Sequence, residues 1–548
     1  MPLTRSRPAL AAALLGATLA TGAAEPAFDR SPQPMRASPS PLPPHWQHGV
    51  FMEIFVRAYQ DSDGDGVGDL RGLVSRLDDL KDLGIRGIWL MPITASADRD
   101  HGYATTDHRA VEPDYGTLED VDTLLREAHA RGIGVVMDYV INHASHRHPA
   151  FQAALADERS PWRRWFMWSD TAPQGWDIWG KNPWYWAGAQ PWDFQGEYKD
   201  LPKPPPGARG HYFGTFGPHM PDFDFRHPPV LEYHLDSLRF WLNRGLDGFR
   251  LDAVPHMVEN DAVNWNDQPE SRALTKRLQD TTLAYPKRYV VCEATAEPQA
   301  YGDPAVCGGA FAFGYQHHYI GAAKGQAESV AELARYYRSA RPTMATFLSS
   351  HDIFAGLRLW DQVGGDEARY KLAAAGYLLQ PGTPFVYYGE EVGQASLPGL
   401  KGDGPIRGSM SWSAEPRAAG FSPKAPWLGV APNAATHNAE AQKRDPGSIR
   451  SFYKTVIGWR HQRESLARGD FAHSFADGLL LGFQRRLGPE RTLVLINYGS
   501  GTAQPTPEAL ALPAGRTPRL LWRSAPAPAG ASLFTMAPQS VALVALDD

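Results

Sequence analysis

From position 50 onward, short apolar runs alternate with stretches of helical periodicity. The apolar runs cover 50–56, 85–91, 133–140, 248–253, 289–293, 310–314, 346–350 and 385–388. Each is strand-sized, and most are rich in β-branched or aromatic residues and bounded by Gly, Pro or Asp. Between them, apolar residues recur every three or four positions over 70–83, 118–130, 230–244, 327–339, 367–379 and 448–463, which predicts amphipathic helices. Eight strands with intervening helices predict an α/β fold, a parallel (β/α)8 TIM barrel built from 45–141 and 228–467. A doubly wound open sheet is the rival, but no glycine-rich dinucleotide loop follows the first run.

Two departures from the alternation define further domains. The connection 142–227 after the third strand holds Trp162, Trp165, Trp168, Trp176, Trp179, Trp184, Trp186 and Trp192, with many Pro and Gly. So long a loop predicts an inserted domain beside the ligand-binding face of the barrel. From 468 to 548 the pattern becomes alternating strands (479–484, 491–497, 519–521, 540–546), which predicts a closing antiparallel β domain. At the other end, two arginines, an apolar run from Ala9 to Ala20 and small residues up to Ala24 predict a signal peptide over 1–24. A Pro/Ser-rich leader over 25–44, disordered or extended, follows it. The expected location is therefore secreted or periplasmic, with no membrane anchor, since the apolar run is too short to span a bilayer.

Composition changes this picture little. A net charge of −6 without a Lys/Arg run argues against a nucleic-acid partner. The 17 Trp are consistent with stacking on sugar rings, though large cores also consume Trp. The two cysteines, Cys292 and Cys307, can form a disulfide in an exported chain or remain as buried thiols, and they are too few for a thiolate zinc site.

Two groups of residues carry chemistry. The loop Asp61-Ser62-Asp63-Gly64-Asp65-Gly66-Val67-Gly68-Asp69 places carboxylates at alternate positions with Gly66 at a sharp turn. Crowded carboxylates repel one another unless a cation lies between them, so the loop is expected to hold Ca2+ through Asp61, Asp63, Asp65, Asp69 and the Val67 carbonyl. The second group lies at the predicted strand ends: Asp138-Tyr139-Val140-Ile141-Asn142-His143, Arg250-Leu251-Asp252, Cys292-Glu293 and Ser350-His351-Asp352. An Arg and an Asp on one face of a buried strand end are tolerated only if paired with each other or with a ligand. Several acids at the mouth of a barrel, without a metal-ligand pattern, suit glycoside hydrolysis by a carboxylate nucleophile and a protonated partner.

The stretches 138–143, 248–256, Glu293 and 347–352 together resemble the four signature regions of the α-amylase family of retaining α-glycoside hydrolases and transglycosylases. Met220-Pro221-Asp222-Phe223-Asp224 resembles that family's extra region, and the likeness spans about 45–548. It implies Asp252 as nucleophile, Glu293 as general acid and base, and Asp352 as the third acid. It also implies Arg250 as the group keeping Asp252 ionised, His143 and His351 as hydrogen-bonding partners of the sugar, and Tyr103 as its stacking platform. Two positions depart from relatives. Ala104 stands where exo-acting α-glucosidases carry an Asp, and Pro255-His256 replaces a Lys-His pair of α-amylases. The implied activity is hydrolysis of α-1,4-glucans or malto-oligosaccharides, with trehalose-synthase-like transfer and exo-acting α-glucosidase action as alternatives.

Overall fold

In the computed structural model, residues 27–36, 38–98, 100–189, 205–513 and 515–547 are described. The expected signal peptide 1–24 and Trp192 lie outside them. Eight parallel strands form the barrel: β1 (Phe51–Ile54), β2 (Gly87–Leu90), β3 (Gly134–Tyr139), β4 (Gly248–Leu251), β5 (Tyr289–Cys292), β6 (Ala310–Phe311), β7 (Met344–Ala345) and β8 (Phe385–Tyr387). They are ordered β7-β6-β5-β4-β3-β2-β1-β8. A parallel bridge from Thr346 to Pro384 closes the ring. β6 is shorter than the run 310–314, and β7 lies before the run 346–350, of which only Thr346 is bridged, because the chain leaves the ladder after Phe311 and after Thr346 to build the cleft.

Side-chain alternation along these strands explains where the chemistry sits. Residues two apart face the same side, so Phe51 and Glu53, Val136 and Asp138, and Val291 and Glu293 point inward in pairs. The lower members join Trp46, Trp89, Phe311 and Phe385 in an apolar plug. The upper members, with Arg250, form a charged layer above it. Met52, Ile54, Val135, Met137, Phe249 and Leu251 face outward into the main core under the helices. Gly248 is required by close approach, since a Cβ there would fall 1.8 Å from the Tyr289 carbonyl oxygen.

The helices follow their sequence signals. Leu70–Leu83 buries Leu70, Leu73, Leu77, Leu80 and Leu83, starts at Asp69, whose carboxylate accepts from Gly72 N, and stops at Gly84 with φ 98°. The inserted segment carries a helix (Pro149–Ala156) and a small antiparallel sheet of Trp168–Ser169, His211–Phe213 and Trp184–Trp186. The closing domain is a five-stranded antiparallel sheet: β9 (Asp470–Asp477), β10 (Leu480–Leu487), β11 (Glu490–Asn497), β12 (Arg519–Arg523) and β13 (Ser540–Ala545), ordered β9-β10-β11-β13-β12. β9 was not expected, because Asp470, His473, Ser474 and Asp477 interrupt its apolar pattern at an edge of the sheet. The described part of the leader is extended and lies against the barrel. Phe28 packs edge-on among His148, Trp162, Trp165 and Tyr233. Cys292 and Cys307 form a disulfide. Among the described residues no helix is long and apolar enough to cross a membrane.

Candidate active site

A cavity of about 740 Å³ opens above the charged layer. Asp252 follows β4 directly and stays tied to β3 through its N–H, which donates to the Tyr139 carbonyl at 3.1 Å. Ala253 then turns the chain with φ 49°, an uncommon left-handed conformation for a residue with a Cβ. That turn aims the Ala253 N–H at Glu293 Oε2, 3.0 Å away. Glu293 extends β5, its N–H donating to the Leu251 carbonyl at 2.9 Å. Asp352 starts the 3-10 turn Ile353–Ala355 beyond β7.

Arg250 ties these acids together. One terminal nitrogen donates to Asp138 Oδ1 at 2.8 Å and also contacts Asp252 Oδ1, while the other lies 2.9 Å from Glu293 Oε2. The guanidinium packs over the Trp89 ring at 5.1 Å. Tyr103 Oη donates to Asp138 Oδ2 at 2.8 Å and lies 2.7 Å from His351 Nε2. His351 Nδ1 lies 2.6 Å from Glu53 Oε1, and its Nε2 is 3.2 Å from Asp352 Oδ2. Arg407 completes the set, 3.7 Å from Asp352, 2.9 Å from Asp403 and 3.3 Å from Asp100.

Burial raises the Asp252 carboxyl well above its ordinary value; Arg250 opposes this, while the charges of Glu293 and Asp138 add to it. Burial also acts to raise Glu293, but Arg250 and the Ala253 N–H outweigh it and hold that carboxyl low. Both carboxyls lie on one guanidinium, and the charge of each bears on the proton of the other. Arg250 acts on Asp252 in the expected direction, but one guanidinium serving three acids does not offset the burial of all of them. Asp352 is pushed up to about 7, mainly by burial and then by the Glu293 charge. Burial lowers His143 to about 3 and His256 to about 4, so both are neutral imidazoles at neutral pH.

Of the residues expected at the site, Tyr103, His143, Asp252, Glu293 and Asp352 line the cavity. Arg250 and His351 stand behind it, buried, and act on the acids rather than facing a ligand. Sequence reasoning missed Glu53, Asp403 and Arg407. Only the inward parity of Glu53 with Phe51 could have pointed to the first, and nothing local marks the other two. It also missed the aromatic rim. Trp179 is 61% exposed and meets Phe216, His256 and Trp265 edge-on or tilted. Phe354 is 54% exposed and leans on Phe313 across the opening.

Away from the cleft, ligand oxygens of Asp61, Asp63 and Asp65 lie within 4.8 Å of one another. Asp61 is fixed by Ser422 Oγ (2.6 Å) and the N–H groups of Gly64 and Gly66 (2.6 and 2.9 Å). Asp69 is not in that group. Its oxygens accept from Ser62 N, Ser62 Oγ and Gly72 N, joining the loop to the helix it caps.

Residues 53–469 match the family described as alpha amylase, catalytic domain. The chain is 31% identical over 469 residues to alpha-amylase 3 of Dictyoglomus thermophilum, covering 83% of this chain and 85% of that protein. It is 32% identical over 483 residues to the trehalose synthase/amylase TreS of Mycobacterium tuberculosis, covering 79% and 78%. The fold matches Bacillus licheniformis trehalose-6-phosphate hydrolase with a TM-score of 0.76 at 22% identity, over 92% of this chain and 100% of the other.

Proposed function

This chain belongs to the α-amylase family of glycoside hydrolases and transglycosylases, and within that family we propose that it cleaves α-1,4-glucosidic bonds of malto-oligosaccharides with retention, by double displacement. The observation that carries this is that Asp252 and Glu293 are held side by side on the two terminal nitrogens of one guanidinium, Arg250, with the Ala253 N–H also fixing Glu293 at 3.0 Å. An inverting pair stands about 6.5–9.5 Å apart to admit a water, whereas a retaining pair is closer. Asp252 remains against Arg250 as the anion that attacks the anomeric carbon. Glu293 in its protonated form passes its proton to the glycosidic oxygen as the leaving group departs. Water then attacks the β-glycosyl-aspartate, giving its proton back to Glu293. Tyr103 offers a ring face to the sugar, and neutral His143 and ionised Asp352 offer hydrogen bonds to its hydroxyls.

The Asp61 loop supports calcium as a stabilising ion. Its donors are hard oxygens and Asp61 is pre-set by N–H groups; at Gly66 (φ 99°) a Cβ would lie 2.8 Å from the Ala425 carbonyl oxygen. Asp61, Asp63, Asp65 and the Val67 carbonyl would hold it, far from the reacting bond. The small-residue terminus of 1–24 and the Cys292–Cys307 disulfide support export to an oxidising compartment.

A second reading, exo-action or glucosyl transfer, rests on Arg407. Anchored by Asp100 and Asp403 beside Asp352, it forms a wall against which a terminal sugar would stop. Early product analysis from maltoheptaose separates these: fragments of several lengths from internal cuts are expected, against glucose with maltohexaose for exo-action or trehalose and longer chains for transfer. The newly formed reducing end is expected as the α-anomer, and Glu293→Gln should lower kcat by about 10²–10⁴. Initial release of the β-anomer would overturn the mechanism.

A further inference from the structure

A second cavity, of about 480 Å³, lies between two barrel helices and the closing sheet. We propose that it is a binding site for a segment of α-glucan, remote from the cleft, and that this is one use of the closing domain. The proposal rests on the α-glucan reading above.

The lining favours a neutral polyol. Trp522 on β12 and Phe452 on the helix Ile449–Gln462 face each other across the cavity wall, centroids 6.0 Å apart and tilted by 55°. Both rings are half-buried, each anchored on the main core while also lining the cavity. Aromatic faces of this kind take up the C–H faces of sugar rings. Trp522 owes its direction to a β-bulge: β12 pairs with β13 as Leu520 with Val544 and Trp522 with Leu543, leaving Leu521 extra. Bulges re-aim side chains in this way. Gln539, also in the lining, sits at φ 44°, a costly conformation for a residue with a Cβ. Its amide is available as both donor and acceptor.

Of the charges in the lining, Lys371 and Glu367 pair with each other, while Arg523 has a carbonyl partner and keeps its charge. Lys371 Nζ donates to the Gly447 carbonyl at 2.6 Å and pairs with Glu367 at 3.3 Å. Arg523 donates to the Leu533 carbonyl at 3.1 Å. What remains is an aromatic wall with one guanidinium and scattered hydroxyl and amide groups, donors and acceptors that sugar hydroxyls can meet, in a volume inside the roughly 300–1,000 Å³ range of small-ligand sites.

Calorimetric titration of the full-length Glu293→Gln variant with maltoheptaose tests the site. Two classes of binding site are expected. Adding Trp522→Ala should weaken the second class by about tenfold or more, the loss of one stacked ring, and leave the first unchanged. On the wild-type background, Trp522→Ala should lower kcat/KM on soluble starch several-fold while leaving maltotriose turnover unaltered. Gln539→Gly guards against misfolding, since it removes the amide and relieves the backbone; it should weaken the same class of site. One class of site, untouched by Trp522→Ala and Gln539→Gly, overturns the second site and leaves the catalytic reading standing. No binding of maltoheptaose in any variant overturns both.

Discussion

At the scale of single residues, the acids of the cleft do not share one electrostatic fate, because Asp138, Asp252 and Glu293 share Arg250 while Asp352 lies beside Arg407. Asp352 is raised to about 7, chiefly by burial; the Glu293 and Asp403 charges add to this and Arg407 opposes it. Asp403→Asn removes one of the opposing charges and frees Arg407 for Asp352, and both effects lower the Asp352 pKa. The variant's amide oxygen can still accept from Ile353 N, as Asp403 does at 2.9 Å. The acid limb of kcat/KM, set in the free enzyme by ionisation of Asp352, should therefore move to lower pH, and Arg407→Met should move it up. A limb that stays in place in Asp403→Asn would show that another group sets it. Asp252 and Glu293 were legible in sequence because each ends an apolar run, so their placement follows from strand parity and barrel geometry, whereas Asp352, beyond β7, was marked by the resemblance of 347–352 to a family signature. Arg407 and Asp403 were not, since they come from an irregular stretch after β8 and meet Asp352 only through tertiary folding. The sharing of Arg250 among Asp138, Asp252 and Glu293 was also hidden, because spacing along the chain does not show how many acids one arginine serves.

At the scale of elements, two devices can be separated by what they respond to. Glu390, in the short turn after β8, accepts from Tyr377 Oη and Tyr453 Oη at 2.8 Å and from Ser349 Oγ at 2.9 Å. It thereby joins two barrel helices to the segment that carries Asp352. Burial nonetheless pushes its carboxyl up to about 7 from 4.5. A raised value means that the folded protein holds the proton more tightly than the unfolded chain. The stabilisation is fully present below pH 4.5 and is lost as pH rises through 7, a span worth about 3 kcal/mol. Glu390→Gln should flatten the stability curve over that window in denaturant titrations, and an unchanged slope would exclude Glu390 as its source. The Asp61 loop should respond to calcium instead. Excess calcium should raise Tm over a chelated sample by an amount set by binding, about 2.7 kcal/mol at a hundredfold excess over Kd. The double variant Asp63→Asn, Asp65→Asn should lose that rise while keeping the Asp61 hydrogen bonds. Equal Tm values for wild-type protein with calcium and with chelator would dismiss the ion. The loop spacing was readable in sequence, but the commitment of Asp69 to helix capping was not, since capping and coordination ask for the same residue at the same place.

At the scale of the whole molecule, the leader binds parts that the sequence presented as separate. Arg109, buried on the hairpin that follows β2, donates to the Ser31 carbonyl at 2.7 Å. Gln33 N and Arg36 N donate to Asp236 and Asn243 on the helix Pro228–Arg244, and Arg288 reaches the Ser38 carbonyl at 3.1 Å. Ser40 Oγ donates at 2.6 Å to Asp247, a fully buried carboxylate at the base of β4 that also contacts His129 at 2.7 Å. Phe28 meanwhile fills the seam between the barrel and Trp162 and Trp165 of the inserted segment. A Pro/Ser-rich composition reads as disordered or extended because it carries few apolar residues of its own. What decides between the two is the set of buried groups on other elements that find no partner without it. Removing residues 25–44 would leave the Arg109 and Asp247 groups buried and short of partners, each at a cost of about 1–3 kcal/mol, and would expose the seam around Phe28. At about 2.1 cal/mol/K of unfolding entropy per residue, each kcal/mol is worth only about 1 °C in a protein of this size, so Tm should fall by roughly 5 °C. Because the lost contacts hold the inserted segment that supplies Trp179 to the cleft, the KM for maltoheptaose should rise below the new Tm while the pH profile keeps its shape. A truncated protein within about 2 °C of the full chain, with unchanged KM, would mean that the leader rests on the surface without coupling the two parts.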